Sequence, residues 1–312
     1  MDTVLALNNS PYYYFKPSSQ RSIGYTWPLT DRIVSKLADV MLDIFDELGL
    51  DMIPGIQLGA ESDGALRNQR KRRAMRDISA EKGIEYIVHL PDQMVPGSYV
   101  KKGFQQQMLG ILQGGHGKNI RDFESDVKER IAAADELEAR YMVMHLPNGP
   151  FEEQAKVESY LTGGVHDILS ETGIKMCIEN CNNRDNPYYG DISNLHDLVN
   201  GLGDPYQMCF DYGHYLVDRD RTDMGELLSK CSGALVFHVH INDRTSDKHL
   251  FLGERPADAD PTVLDDVEDA YVNCFLRGVD PKGKAFVLER NRQFEHAQIR
   301  SSVERLLGPL LS

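Results

Sequence analysis

The chain has 312 residues, 41% hydrophobic and 26% charged, which is ordinary globular usage: it supports a large core and gives no sign of disorder. A formal net charge of −14 argues against a nucleic-acid partner, because non-specific binding rests on Lys and Arg neutralising phosphates. The first residues carry no signal-peptide pattern, no apolar stretch is long enough to span a bilayer, and the five cysteines form no C-x-x-C pair, so the expectation is a cytoplasmic protein with reduced thiols and no membrane segment.

Short apolar runs rich in β-branched residues alternate with longer amphipathic stretches along the chain. Strands are expected at 4–7, 53–58, 86–90, 141–145, 175–179, 207–211, 236–241 and 285–289. Between the first two, Ile33, Leu37, Val40, Met41, Ile44, Phe45 and Leu48 recur at helical spacing and build one apolar face. The dense basic run Arg67, Arg70, Lys71, Arg72, Arg73 and Arg76 falls in the next expected helix and reads as a solvated face. After the third strand, residues 92–119 are long for a strand-to-helix connection and hold Gly103, Gly110, Gly114, Gly115 and Gly117; this extended loop is read as a lid insertion. Ile299, Val303, Leu306, Leu307 and Leu310 form the last helical stripe. Gly49, Gly83, Gly173 and Gly278 stand where helices end, positions that favour positive φ. Eight such units without a linker predict an α/β fold, a single (β/α)8 or TIM barrel, with 1–312 as one domain. No G-x-G-x-x-G follows the first strand, so a nicotinamide-binding sheet has no support.

Active sites of such barrels sit at the C-terminal ends of the strands. From the third strand to the eighth those ends carry His89, His145, Glu179, Asp211 with His214 just beyond, His240 and Glu289, and Asp247 and His249 follow the seventh. One histidine there is usually structural and one carboxylate often a helix cap, but six successive ends of this kind are poorly explained by coincidence. Imidazoles and carboxylates without thiolates suit Zn2+ or Mn2+, with Co2+, Fe2+ and Mg2+ also admissible. Clustered carboxylates lacking a cation would repel one another. His238 and His240 alternate by two and face the same side. His240, nearer the strand end, is taken as the ligand, and His238, a layer deeper, as structural or supporting. His166 and His196 are read as structural. Arg244, Arg255 and Arg292 suit the phosphate or carboxylate of a small-molecule substrate, and equally suit ion pairs at the rim.

These residues resemble the xylose-isomerase-like barrel superfamily, and most closely its endonuclease IV branch, from the third strand to the eighth. The most specific stretches are His240-Ile241-Asn242-Asp243 and Asp247-Lys248-His249 followed by Leu252-Gly253-Glu254. The resemblance implies up to three metal ions. His89, His145 and Glu179 would hold one, Glu179 would bridge to a second held by Asp211, His240 and Glu289, and His214, Asp247 and His249 would hold the third. It implies metal-dependent hydrolysis of a phosphate ester of a small sugar- or nucleotide-like molecule, with Glu179 positioning the attacking hydroxide. The alternative, from the isomerases and epimerases of the same superfamily, is rearrangement of a sugar or sugar phosphate at one metal. In that reading Glu179 and Glu289 are the proton-transfer pair and His214 contacts substrate. A barrel that merely keeps a metal for stability is disfavoured, since a closed structural site needs only four ligands.

Overall fold

A computed structural model describes residues 2–9, 30–59, 62–91, 120–146, 158–159, 161–182, 188–217, 219, 222–245, 248–290 and 295–310. The expected lid at 92–119, Asp247 and Arg292 lie outside these residues. The strands are β1 (Val4–Asn8), β2 (Ile53–Leu58), β3 (Glu85–His89), β4 (Tyr141–His145), β5 (Lys175–Glu179), β6 (Tyr206–Asp211), β7 (Val236–Val239) and β8 (Ala285–Leu288). Each pairs in parallel with its neighbours in sequence, and β1 pairs with β8, which closes the barrel. The largest departure from the expected bounds is β7. Beyond it Ile241 leaves the barrel ladder and pairs antiparallel with Leu250 through two hydrogen bonds of 2.9 Å.

Helices between the strands cover the outside of the barrel. The Thr30–Leu48 helix buries Leu37, Met41, Ile44 and Phe45 of the expected stripe together with Val34 and Ala38, while Ile33, Val40 and Leu48 pack half-buried at its edges. Asn68, Asp191, Asp223 and Asp260 begin later helices, each accepting a hydrogen bond from a backbone N–H of the first turn. Gly49 and Gly83 take the positive φ expected of them, at 62° and 66°. Gly173 and Gly278 do not. The Gly164–Glu171 helix leaves through an extended Thr172, and at Gly278 a Cβ would stand 2.5 Å from Leu228 Cδ2, so a side chain there requires the end of Leu228 to move. Within the basic run, Arg67, Lys71 and Arg72 pair with Asp63, Asp31 and Glu136, as a charged outer face does. Among the described residues no helix is long and apolar enough to cross a membrane.

The strand alternation positions the site. Val4, Ala6, Ile87, Tyr141, Val143, Cys177, Cys209, Val236, Ala285 and Val287 form one buried cluster inside the barrel, separate from the larger core between strands and helices. Counting by two from these inward positions reaches Asn8, His89, His145, Glu179, Asp211, His238 and Glu289, and on β2 the same count from Gly55 reaches Gln57. Every inward position at the upper end of the barrel is therefore polar, while the layers beneath are apolar.

Gly55 tests this interior. A Cβ there would lie 2.7 Å from Val4 Cγ1 and 3.0 Å from Ala6 Cβ. Gly55→Ala should overfill the barrel and cost about 1–3 kcal/mol, read as a lower urea midpoint at unchanged slope. An alanine variant as stable as the parent would contradict the packing.

Candidate metal centre

Glu179 ends β5 fully buried. Its Oε2 lies 3.1 Å from His89 Nε2 and 3.0 Å from His145 Nε2, and its Oε1 lies 3.2 Å from His214 Nδ1 and 3.1 Å from His238 Nδ1. Asp211, ending β6, is equally buried. Its Oδ1 accepts the His214 backbone N–H at 2.7 Å and so starts the short Tyr212–Leu216 helix, while Oδ2 lies 2.8 Å from His240 Nε2 and 3.6 Å from His238 Nδ1. Glu289 Oε1 accepts from Asn8 Nδ2 at 2.7 Å, and Oε2 lies 3.1 Å from His238 Nδ1 and 3.9 Å from His249 Nε2.

His249 reaches the cluster because the connection after β7 folds back on itself. The Ile241–Leu250 bridge pins its two ends, Arg244 and His249 take φ of 66° and 44°, and the His249 ring stacks on His240 with centroids 4.2 Å apart. Positive φ is costly outside glycine and persists where the surroundings over-determine it. Gly213 completes the seat of His240, since a Cβ there would fall 1.9 Å from His240 Cε1.

Burial alone would push the Glu179 carboxyl upward, yet His145 and His238 hold it well below the usual carboxylate range. Asp211 behaves likewise, with His214 and His240 outweighing its burial, and Glu289 is held down by His238 and His249. Burial pushes His238 downward, but the Glu179 and Glu289 carboxylates carry its imidazole well above the ordinary value. The three carboxylates thus stay charged only with positive charge close by.

The donor set fits a divalent cation. His89 Nδ1 donates to Leu90 O at 2.8 Å, and His238 Nε2 faces the amide oxygen of Gln57 at 2.9 Å. In a neutral imidazole each of these contacts keeps the proton on the anchored nitrogen, and the other nitrogen then turns a lone pair toward Glu179. A lone pair facing a carboxylate repels unless a cation lies between them, and a ring anchored on one side and open on the other is the posture of a metal-bound histidine. Among the described residues, four groups of side chains bring their ligand atoms within 4.8 Å of one another: Asp211, His240, His249 and Glu289; His89, Glu179 and His238; His145, Glu179 and His214; and Glu179, Asp211, His238 and Glu289. The buried thiols beneath are poor ligands: burial pushes Cys209 up to about 12.

Eight of the expected ligands, His89, His145, Glu179, Asp211, His214, His240, His249 and Glu289, therefore converge, and Asp247 lies outside the described residues. His238, read from sequence as structural or supporting, touches all three carboxylates. Gln57 and Asn8 escaped the sequence reading altogether. The signal that finds them is the inward count along β1 and β2. Arg255 is bound by Asp265 and Glu268 at 2.6 and 2.7 Å, a rim ion pair, and Arg244 donates to Arg219 O and Thr222 Oγ1. His166 lies against Tyr206 and His196 against Asn200, away from the cluster.

Residues 47–262 match the family described as Xylose isomerase-like TIM barrel, more than half of the chain, and the protein belongs to that family. Similar solved structures include D-psicose 3-epimerase with D-tagatose from Clostridium cellulolyticum, at 9% identity and a TM-score of 0.62 over 98% of this chain and 99% of that one. A putative xylose isomerase from Rhodospirillum rubrum is similar at 16% identity and a TM-score of 0.61, over 99% of each chain. A protein from Thermus thermophilus soaked with zinc chloride is similar at 17% identity and a TM-score of 0.56, also over 99% of each. At these identities the likeness is one of fold. No curated protein matches the chain in sequence.

Two measurements check the site. Gly213→Ala should displace His240 and weaken Mn2+ binding to the folded protein, whereas unchanged binding would exclude His240 as a ligand. The pH dependence of the chelator-treated protein follows from the shifts. Glu179 and Asp211 are depressed, so their stabilisation is present above ~4 and is lost as pH falls through their folded values. His238 is raised, so its stabilisation is full below ~6.5 and is lost as pH rises through its folded value. The melting temperature should peak between those limits, and a flat profile from about pH 4 to 9 would contradict the charge balance.

Proposed function

We propose that the protein is a divalent-metal-dependent isomerase or epimerase of a ketose or related small sugar. The observation that carries the reading is the approach of Glu179 and Glu289, from strands three apart in the barrel, to one point. Each lies 3.1 Å from His238 Nδ1, and with Asp211 their ligand atoms fall within 4.8 Å. Similar structures that are sugar epimerases or a putative isomerase support this reading over the three-metal hydrolase.

Glu179, Asp211, Glu289 and a β7 histidine would hold the cation. When bound, the metal polarises a carbonyl and a neighbouring hydroxyl and so acidifies the C–H bond beside the carbonyl. One glutamate then takes that proton, and the other returns a proton to the opposite face for epimerisation, or to the neighbouring carbon for isomerisation. Both carboxylates must be aimed before substrate arrives, which the histidines around Glu179 and the Asn8 hydrogen bond to Glu289 accomplish; the one that takes the proton enters ionised, and the one that returns a proton first gains it from the substrate hydroxyl or from water. His214, anchored through Nδ1 on Asn180 O at 3.0 Å, would meet the sugar hydroxyls.

One feature favours the phosphoester reading as the second possibility: His89 and His145 converge on Glu179 Oε2, which would let Glu179 bridge two ions. The test separates the two. Mn2+-loaded protein is incubated in D2O with D-psicose, D-tagatose or D-fructose, and separately with sugar phosphates. Deuterium beside the carbonyl and an epimerised or isomerised product are expected, with Glu179→Gln and Glu289→Gln each lowering kcat by about 10²–10⁴-fold. Release of phosphate with no deuterium exchange would replace this proposal by the hydrolase.

A further inference from the structure

Gln57 and His238 sit on β2 and β7, three strands apart around the barrel, and both side chains are wholly buried. Their contact, Gln57 Oε1 to His238 Nε2 at 2.9 Å, crosses the barrel interior just beneath the carboxylates. The other half of the amide, Gln57 Nε2, has no hydrogen-bond partner among the described residues. Burying an amide with one half unsatisfied is costly, and the bond to His238 is the one that this amide makes there.

That bond has a directional consequence. A carbonyl oxygen can only accept, so the proton of a neutral His238 resides on Nε2 and the lone pair on Nδ1. Nδ1 lies 3.1 Å from Glu179 Oε1, 3.1 Å from Glu289 Oε2 and 3.6 Å from Asp211 Oδ2. Those four side chains place one ligand atom each within 4.8 Å of the rest, a four-ligand set that shares Asp211 and Glu289 with the set that includes His240. His240 meets Asp211, His249 and Glu289 in a separate set nearer the mouth.

We propose that Gln57 is a positioning residue for the metal: by accepting the Nε2–H of His238 it presents Nδ1 as an inner ligand beside Glu179, Asp211 and Glu289. The seventh strand then offers histidines at two depths, His238 below and His240 above. The inference rests on the metal reading of the site but not on the reaction assigned to it. It also goes beyond the expectation that His238 is structural or supporting.

The test titrates the full chain with Mn2+ alone and reads free Mn2+ by its spin resonance signal. Gln57→Leu should weaken binding by about 10–100-fold, the usual effect of removing the partner of a metal-bound histidine. Gln57→Glu keeps an acceptor at the same reach and should bind within a few-fold of the parent. If Gln57 only fills space, both variants shift the melting temperature and neither changes the Mn2+ affinity of the folded protein, which would overturn the proposal. A check independent of any variant uses the parent protein labelled with 15N-histidine. Zn2+ should shift the Nδ1 resonance of His238 while its Nε2 keeps its proton, and an unmoved Nδ1 overturns the assignment. Gln57-dependent Mn2+ binding in a protein that turns over no sugar supports this inference while defeating the proposed function. A parent protein that binds no Mn2+ overturns both.

Discussion

A carboxylate buried without compensation is among the most costly groups a protein can hold, and Glu179, fully buried at the centre of the barrel mouth, depends on the groups that compensate it. Four histidines from four different elements close on its two oxygens: His89 and His145 on one, His214 and His238 on the other. Two of those histidines are themselves held from behind, His89 by Leu90 O and His238 by the Gln57 amide, while the His214 nitrogen that meets Glu179 is shared with Asn180 O. The arrangement exists only because parallel strands closed into a barrel turn every second residue inward, so that strand ends distant in sequence meet at one point. Without the closure, Glu179 and Glu289 would not share a neighbour. Without the charge of Glu179, the ring of imidazoles would have nothing to converge on.

Much of this was legible in the chain. Four-to-six-residue apolar runs gave the strands to within two residues, since a parallel barrel strand buried on both faces leaves a continuous apolar signature. The metal-ligand types were legible for the same reason: a His or Glu directly after such a run has few structural excuses. The β7 end was misjudged because Ile241 is as apolar as a strand residue but pairs with Leu250 instead, a choice decided by the fold-back of the following segment. Gly173 and Gly278 show the limit of reading glycine as a marker of positive φ, since neither adopts it.

The site's less visible parts were those with ordinary chemistry. Asn8 and Gln57 are neutral amides in β1 and β2, and nothing in their type marks them as functional. Only the barrel register shows that they complete the ring begun by the ionisable residues. His238, read as structural or supporting, lies beside all three carboxylates while His240 meets Asp211, and spacing alone does not show that both histidines of one face reach the cluster. Arg255, whose guanidinium type suits an anionic substrate, is occupied by Asp265 and Glu268, and this local neutralisation accords with an uncharged sugar better than with a phosphate.

The proposed centre puts a divalent cation among Glu179, Asp211, Glu289, His238 and His240. Elemental analysis of the protein purified without chelator tests it most directly. About one Zn2+ or Mn2+ ion per chain is expected, lost on dialysis against chelator together with a fall in melting temperature. A protein that carries no metal, takes up none when Mn2+ or Zn2+ is supplied, and melts at the same temperature with and without chelator would contradict it.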